Sequence, residues 1–270
     1  MRLYRWDEKG FVPTDESRLI ERFTPLSCIC GSGGKTSLLF YVGRKLSSSS
    51  SVLLSTSCHL ALEKEAAFSV SEAKKRASAG QFPVLAGRRG SEGKLEGFSP
   101  AEERELFPSF SYVLLECDGS RGLPLKFPRE GEPILPEAWF RLSEAQSQEG
   151  GAEKDNTGEK ALFLILGLSA IGQKAGDCVH RLGERGVILY PELTAHTRIE
   201  VSHIAEILKR GYFQKELFRD PSLTLILNQA DTEDRLLDAE KLATLLLKNK
   251  LLRADQILAL HFSPEERHPR

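Results

Sequence analysis

CICGSGGKTSLLF, Cys28 to Phe40, decides how this chain is read. An apolar run stops at a glycine-rich turn, and a run with helical spacing starts at Lys35. A phosphate-binding loop of the form G-x-x-x-x-G-K-[ST] ends as Gly34, Lys35 and Thr36 do, but its first glycine would fall on Ile29. A shorter spacing, G-x-x-G-K-T, is met in full by Gly31, Ser32, Gly33, Gly34, Lys35 and Thr36, and Ile29 is left to the strand. A glycine turn between strand and helix aims several backbone N–H groups at one point. The helix N-terminus adds a partial positive charge there, which suits phosphate. Lys35 would then reach the β- and γ-phosphates and the Thr36 hydroxyl would ligate Mg²⁺, with Ser37 next in the first helical turn. The compact spacing resembles the loop of the Mur ligases. An ordinary glycine-rich turn with a surface lysine is the competing reading.

Outward from this loop, buried strands alternate with amphipathic helices. PLSCIC (25–30), SVLLST (51–56), YVLLEC (112–117), ALFLIL (161–166), LTLILN (223–228) and QILALHF (256–262) read as strands covered on both faces. KTSLLFYVGRKL (35–46), VSHIAEILKR (201–210) and TEDRLLDAEKLATLLLKN (232–249) read as helices, and Ser99, Pro100 and Glu102 open another through a capping box. The alternation predicts an α/β fold of the P-loop type, three-layered, with a mostly parallel sheet and helices on both faces. Residues 1–270 are expected to form one nucleotide-binding domain. The polar, glycine-rich stretch 143–160 is expected to be a flexible insertion.

In such a sheet the loops after the strand carboxyl ends carry the chemistry. ECDG places Glu116, Asp118 and Gly119 at one such end. Carboxylates there hold Mg²⁺, directly or through water, and a glycine lets a backbone N–H approach the γ-phosphate. NQAD, Asn228 to Asp231, ends a later strand and resembles the N-K-x-D element of GTPases. Asp231 would accept two hydrogen bonds from guanine, and Asn228 would tie the loop to the glycine turn; Gln229 stands where GTPases carry lysine. A polar helix cap is the plainer reading of the same four residues. Thr56 and His59 follow another strand and are candidates for contact with Mg²⁺, phosphate or a second substrate. Lys126 and Arg121 are candidate anion ligands, as are His180 and Arg181.

Charge and composition exclude other classes. The 37 Lys and Arg against 38 Asp and Glu leave no basic excess for a nucleic-acid groove. No apolar run approaches the roughly 20 residues that span a bilayer. Five scattered cysteines and a polar N-terminal stretch are those of a cytoplasmic chain with reduced thiols. Cys28 and Cys30 alternate on a strand and read as core; Cys58 and Cys117, with His59, could take a soft metal or selenium, but core or incidental use is the favoured reading.

The collinear stretches CGSGGKTSLL, LLSTSCHL, VLLECDGSRGLPLKFPREGEPILP, LILGLSAIG, Val179–Arg181 and LILNQAD resemble the YqeC-type family, selenium-dependent hydroxylase accessory proteins. The segment Glu116 to Pro136 is the most specific, matching E-A-D-G…P-L-K…E-P-x-I-P at Pro124, Leu125, Lys126, Glu132, Pro133 and Pro136, with Cys117 in place of the alanine. The resemblance implies a P-loop fold and a role beside molybdenum hydroxylases, or their maturation proteins, that need selenium. The three motifs together also resemble metallocentre-assembly GTPases. Three activities stay open: slow hydrolysis of GTP or ATP with Mg²⁺, GTP favoured; ATP-dependent phosphorylation or ligation of a small molecule; and nucleotide-gated scaffolding without turnover.

Overall fold

The computed structural model describes residues 1–61, 66–148 and 160–267. Its main sheet contains strands β1 (Arg2–Asp7), β2 (Gly10–Thr14), β3 (Leu26–Gly31), β4 (Val52–Thr56), β5 (Val84–Leu85), β6 (Tyr112–Glu116), β7 (Lys160–Gly167), β8 (Leu223–Asn228) and β9 (Ile257–His261). Among the described residues they pair in the order β2-β1-β9-β8-β7-β3-β6-β4-β5. Only β1 runs antiparallel to its neighbours; the other pairs are parallel. The fold is thus α/β with a large, mostly parallel sheet.

The strands are near-continuous apolar runs because both their faces are covered. Alternate residues feed two cores. On one face Ile29, Leu54, Leu114, Phe163 and Ile165 pack with Leu38, Leu39 and Val42 of helix α1 (Lys35–Leu46). On the other, Cys28, Cys30, Val113, Leu115, Leu162 and Leu164 share a core with four helices. These are α2 (Val70–Ser78), α3 (Pro100–Leu106), α5 (Val201–Gly211) and α6 (Glu233–Lys248), contributing Ala73, Leu106, Ile204, Ile207, Leu242 and Leu246. Helix α4 (Glu137–Gln148) buries Trp139 in that second core. The Ser99–Glu102 capping box is present.

The strands and helices expected from periodicity are all found within a residue or two. Elements without a strong period were not foreseen. The β1–β2 hairpin buries only Leu3 and Phe11, and α2 is a short, charged helix capped by Ser69. Part of the stretch 143–160, expected to be a flexible insertion, is regular structure. Residues 143–148 continue α4, and Lys160 already opens β7. Residues 149–159 lie outside the described residues, as does any statement about their flexibility. No helix among the described residues is long and apolar enough to cross a membrane.

Parallel strands bring their carboxyl ends to one edge. Register sets Gly31 beside Ile165, Ile29 beside Glu116, and Gly167 beside Asn228. Two smaller sheets flank that edge. One is formed by His59–Ala61, Arg88–Arg89 and Lys94–Glu96, the other by Leu125–Lys126 beside Val179–His180. The second pairing carries Lys126, His180 and Arg181 to the glycine loop.

Phe163 is fully buried at the sheet centre and stacks on Phe23 at 4.0 Å. Phe163→Ala should therefore cost about 3–5 kcal/mol of unfolding free energy in a denaturant titration. A loss under about 1 kcal/mol would mean that this layer is not packed as described.

Candidate functional site

The glycine loop is shaped by close contacts that a side chain would forbid. Gly31, Gly33 and Gly34 have φ of +96°, +79° and +134°. A Cβ on Gly31 would stand 2.1 Å from the Ile165 carbonyl oxygen, and one on Gly34 2.1 Å from the Asn228 amide nitrogen. The loop is pinned from outside. Ser32 N–H donates to Ile165 O at 2.7 Å, Ser32 Oγ donates to Pro124 O at 3.0 Å, and Asn228 Nδ2 donates to Gly33 O at 2.6 Å. Helix α1 starts with Gly34 as N-cap, which has no side chain to cap the first N–H groups.

Beneath the loop runs a ladder of alternating charges. Thr36 Oγ1 donates to Glu116 Oε2 at 2.9 Å. Lys35 Nζ lies 3.5 Å from Glu116 and 3.4 Å from Asp118, and donates to Gly31 O at 2.9 Å and Ser120 Oγ at 3.2 Å. Asp118 accepts the Gly31 N–H at 2.9 Å and pairs with Lys126 Nζ at 2.6 Å. Lys126 also pairs with Glu132 at 2.9 Å, and Arg181 grips both Glu132 oxygens at 2.6 and 2.7 Å. Three acids meet three bases, so the ladder is neutral.

Glu116, Lys35 and Glu132 are tuned by burial and by their neighbours. Burial pushes the Glu116 carboxyl up, against the pull of Lys35 and the Thr36 hydroxyl. Burial acts against the Lys35 ammonium, but Glu116 and Asp118 outweigh it and hold the group above its usual value. Burial also opposes ionisation of Glu132, yet Arg181 and Lys126 overcome it and bring the carboxyl down to about 2. A buried pair is held only where geometry offsets desolvation, and this ladder supplies several partners to each ion.

Above the loop opens a cavity of about 650 Å³, which Gly33, Gly34, Lys35, Thr36, Ser37, Glu116 and Gly119 line on the strand-end side. Gly119 has open space where its Cβ would be. His59, Lys94, Arg121, Arg129, His180, Arg181 and Glu184 line it as well. Cations outnumber acids around this space. Burial, reinforced by Arg181 and Arg121, brings His180 down to about 4, so its imidazole is neutral at pH 7. Among the described residues no three His, Cys, Asp or Glu side chains are grouped to hold a metal ion. Thr36, Glu116 and Asp118 place side-chain oxygens beside the loop. Such hard donors suit Mg²⁺, which takes one or two protein oxygens and completes its shell with water and phosphate.

Not every expected residue faces this cavity. Gly31, Ser32, Asp118 and Lys126 build its floor without lining it. The Thr56 hydroxyl is buried and donates to Glu116 O at 2.7 Å, so it braces the strand ends instead of meeting a ligand. His59 lies at the rim, exposed, 3.8 Å from Glu96. Asn228 ties its loop to the glycine turn, as expected. Asp231 does not line the cavity, and its carboxylate is paired with Arg235 one helical turn on, at 2.5 Å. Cys117 is fully buried with its thiol on the Leu115 carbonyl, and burial pushes the Cys58 thiol up to about 12. Cys58 is therefore not a ready thiolate. Ser120, Arg129 and Glu184 were not singled out from sequence. Ser120 directly follows E-C-D-G and was within reach of that reading; the other two are surface charges without a motif.

Comparisons with known proteins agree with this part of the chain. The family model described as YqeC protein matches residues 27–140. The chain is similar to the protein of Escherichia coli (strain K12) described as Uncharacterized protein YqeC. The two are 34% identical over 119 residues, covering 41% of this chain and 46% of that protein. The match thus spans about half the length of that relative. No solved structure matches. The YqeC-type resemblance is shown over this stretch, which holds the glycine loop and the ladder up to Glu132.

A depressed carboxyl stabilises the fold above its unfolded value of 4.5 and loses that contribution as pH falls toward about 2. Glu132→Gln should flatten that part of the acid-unfolding curve. At neutral pH it should also cost about 3 kcal/mol, since Lys126 and Arg181 lose a buried counter-charge. A variant with the parent's acid-unfolding profile would remove Glu132 from the ladder.

Proposed function

We propose that this chain, YqeC-like over residues 27–140, is a P-loop-type protein that binds a nucleoside triphosphate with Mg²⁺ and hydrolyses it slowly. One observation carries the reading: buried Lys35 sits inside a glycine loop at a helix N-terminus, beside Thr36 and two carboxylates, on the floor of a cavity of about 650 Å³. Phosphate oxygens would replace the Gly31 carbonyl and Ser120 as acceptors for Lys35, and the uncapped N–H groups of α1 would take the next oxygens. Thr36 and Glu116, with Asp118 behind them, are the residues that would hold Mg²⁺. Mg²⁺ would neutralise charge on the phosphate oxygens. Both carboxylates are already engaged, Glu116 by Thr36 and Lys35, Asp118 by Gly31 and Lys126. Neither is free to take a proton from water, which is the reason for slow turnover.

The nucleotide base is a separate matter. Asp231, expected to select guanine, is turned to Arg235 and off the cavity lining. Guanine preference through Asp231 therefore has no support in this geometry, and GTP and ATP enter the proposal on equal terms. The resemblance of the motifs to the YqeC-type family supports a role in the maturation of a molybdenum hydroxylase that needs selenium.

Lys35→Ala should weaken Mg-nucleotide binding at least a hundredfold in calorimetry, as expected for losing a charged hydrogen-bond donor and leaving two buried acids (about 3 kcal/mol). Parent-like affinity would overturn the proposal. Asp231→Asn should leave GTP and ATP affinities within about twofold, because a residue off the binding surface contributes little. A gain in xanthine-nucleotide affinity would restore the guanine reading instead.

A further inference from the structure

Two arginines beside this cavity hold a backbone conformation that L-residues avoid. Arg121 has φ of +50° and Arg181 has φ of +62°, and both line the cavity. Such positions persist where the surroundings over-determine them, and they concentrate at ligand sites. Arg181 has an obvious use, since it grips Glu132. Arg121 has none: it makes no hydrogen bond or ion pair among the described residues, and its side chain is exposed to the cavity mouth.

The surrounding charges are unbalanced. The ladder consumes Lys35, Lys126 and Arg181 against Glu116, Asp118 and Glu132. That leaves Arg121, Arg129 and Lys94 on the same cavity, faced by Glu184, and of these Lys94 is engaged by another contact. The Arg129–Glu184 contact is long, 4.0 Å, and both side chains are well exposed, so it neutralises little. His180 stands beside Arg181 and feels Arg121. As a neutral imidazole it offers one donor and one acceptor to a ligand.

We infer that Arg121, Arg129 and His180 form a second anion subsite, which takes a phosphate-bearing small molecule alongside the nucleotide. The guanidinium groups match phosphate oxygens as paired donors. The glycine loop already has Lys35, the α1 N–H groups and the Mg²⁺ ligands for a triphosphate, so the two arginines are surplus to it. A cavity of about 650 Å³ lies within the range that accommodates drug-sized ligands of roughly 300–1,000 Å³. The inference rests on the nucleotide reading for its first occupant, and it adds a second substrate to that site.

Arg121→Gly separates the guanidinium from the fold. Glycine adopts a positive φ without the strain of a Cβ, so the variant relieves the backbone and should melt no lower than the parent. The full chain is saturated with a non-hydrolysable Mg-ATP or Mg-GTP analogue, so that the γ-phosphate position is filled, and inorganic phosphate is then titrated in by calorimetry. The parent should bind phosphate saturably. Arg121→Gly should bind it at least about tenfold more weakly, the loss of one charged hydrogen bond, with analogue affinity changed less than twofold. Absence of saturable phosphate binding in the analogue-loaded parent overturns the subsite. So does a fall in analogue affinity that tracks the fall for phosphate, since Arg121 would then belong to the triphosphate grip. If the parent binds no analogue, it is the nucleotide reading that fails. Phosphate titrated alone then decides the subsite by the same comparison: a tenfold loss in Arg121→Gly supports it, and equal affinities overturn it.

Discussion

The carboxylate of Asp118 is the joint on which the strand-end edge depends. It accepts the Gly31 N–H, lies 3.4 Å from Lys35 and pairs with Lys126 at 2.6 Å. An isolated buried carboxylate would cost several kcal/mol in desolvation and would protonate instead. At Asp118 two ammonium groups and a backbone donor offset the burial. In return, Asp118 fixes where the glycine loop starts. It also couples that loop to the segment after β6, through Lys126 and then Glu132 and Arg181.

This coupling explains why the most specific stretch of sequence, Glu116 to Pro136, is long and irregular. Its residues do not share a helix face or strand face. Pro124 offers its carbonyl to Ser32 and to Gly167 N–H. Leu125 is core, and Lys126 and Glu132 are rungs of the ladder. Each residue meets a different partner, so no period of two or 3.6 arises. The stretch is a belt that laces the glycine loop to the β7 and Val179–Arg181 strand ends. Helix α1 and its unfilled N-cap depend on that lacing for their position.

Some site residues were legible because local chemistry demands their type. Only glycine tolerates the φ values and contacts at Gly31, Gly33 and Gly34, and the lysine and threonine after them mark a helix start without a side-chain cap. Asn228 was legible as a strand-end residue tied to that loop. Thr56 and Asp231 misled because spacing places a residue at an edge without saying where its side chain turns. Thr56 is drawn to the Glu116 carbonyl, and Asp231 to Arg235, which sits four residues on in the first turn of α6. The edge hairpin β1–β2 left little trace, since an edge strand with one covered face needs few apolar residues.

What the sequence by itself determined is the set of buried strands, the amphipathic helices, and the glycine-lysine-threonine turn between β3 and α1. These are written in short-range patterns: continuous apolar runs, helical spacing, capping residues and glycines. Only the tertiary structure decided the charge pairing and the cavity. Lys35 and Asp118 are 83 positions apart, and Glu132 and Arg181 are 49 apart. Their pairing depends on which partner the sheet order brings near. Electrostatic energy in a low-dielectric interior changes steeply over a few ångströms, and such distances exist only once β3, β6 and β7 have aligned.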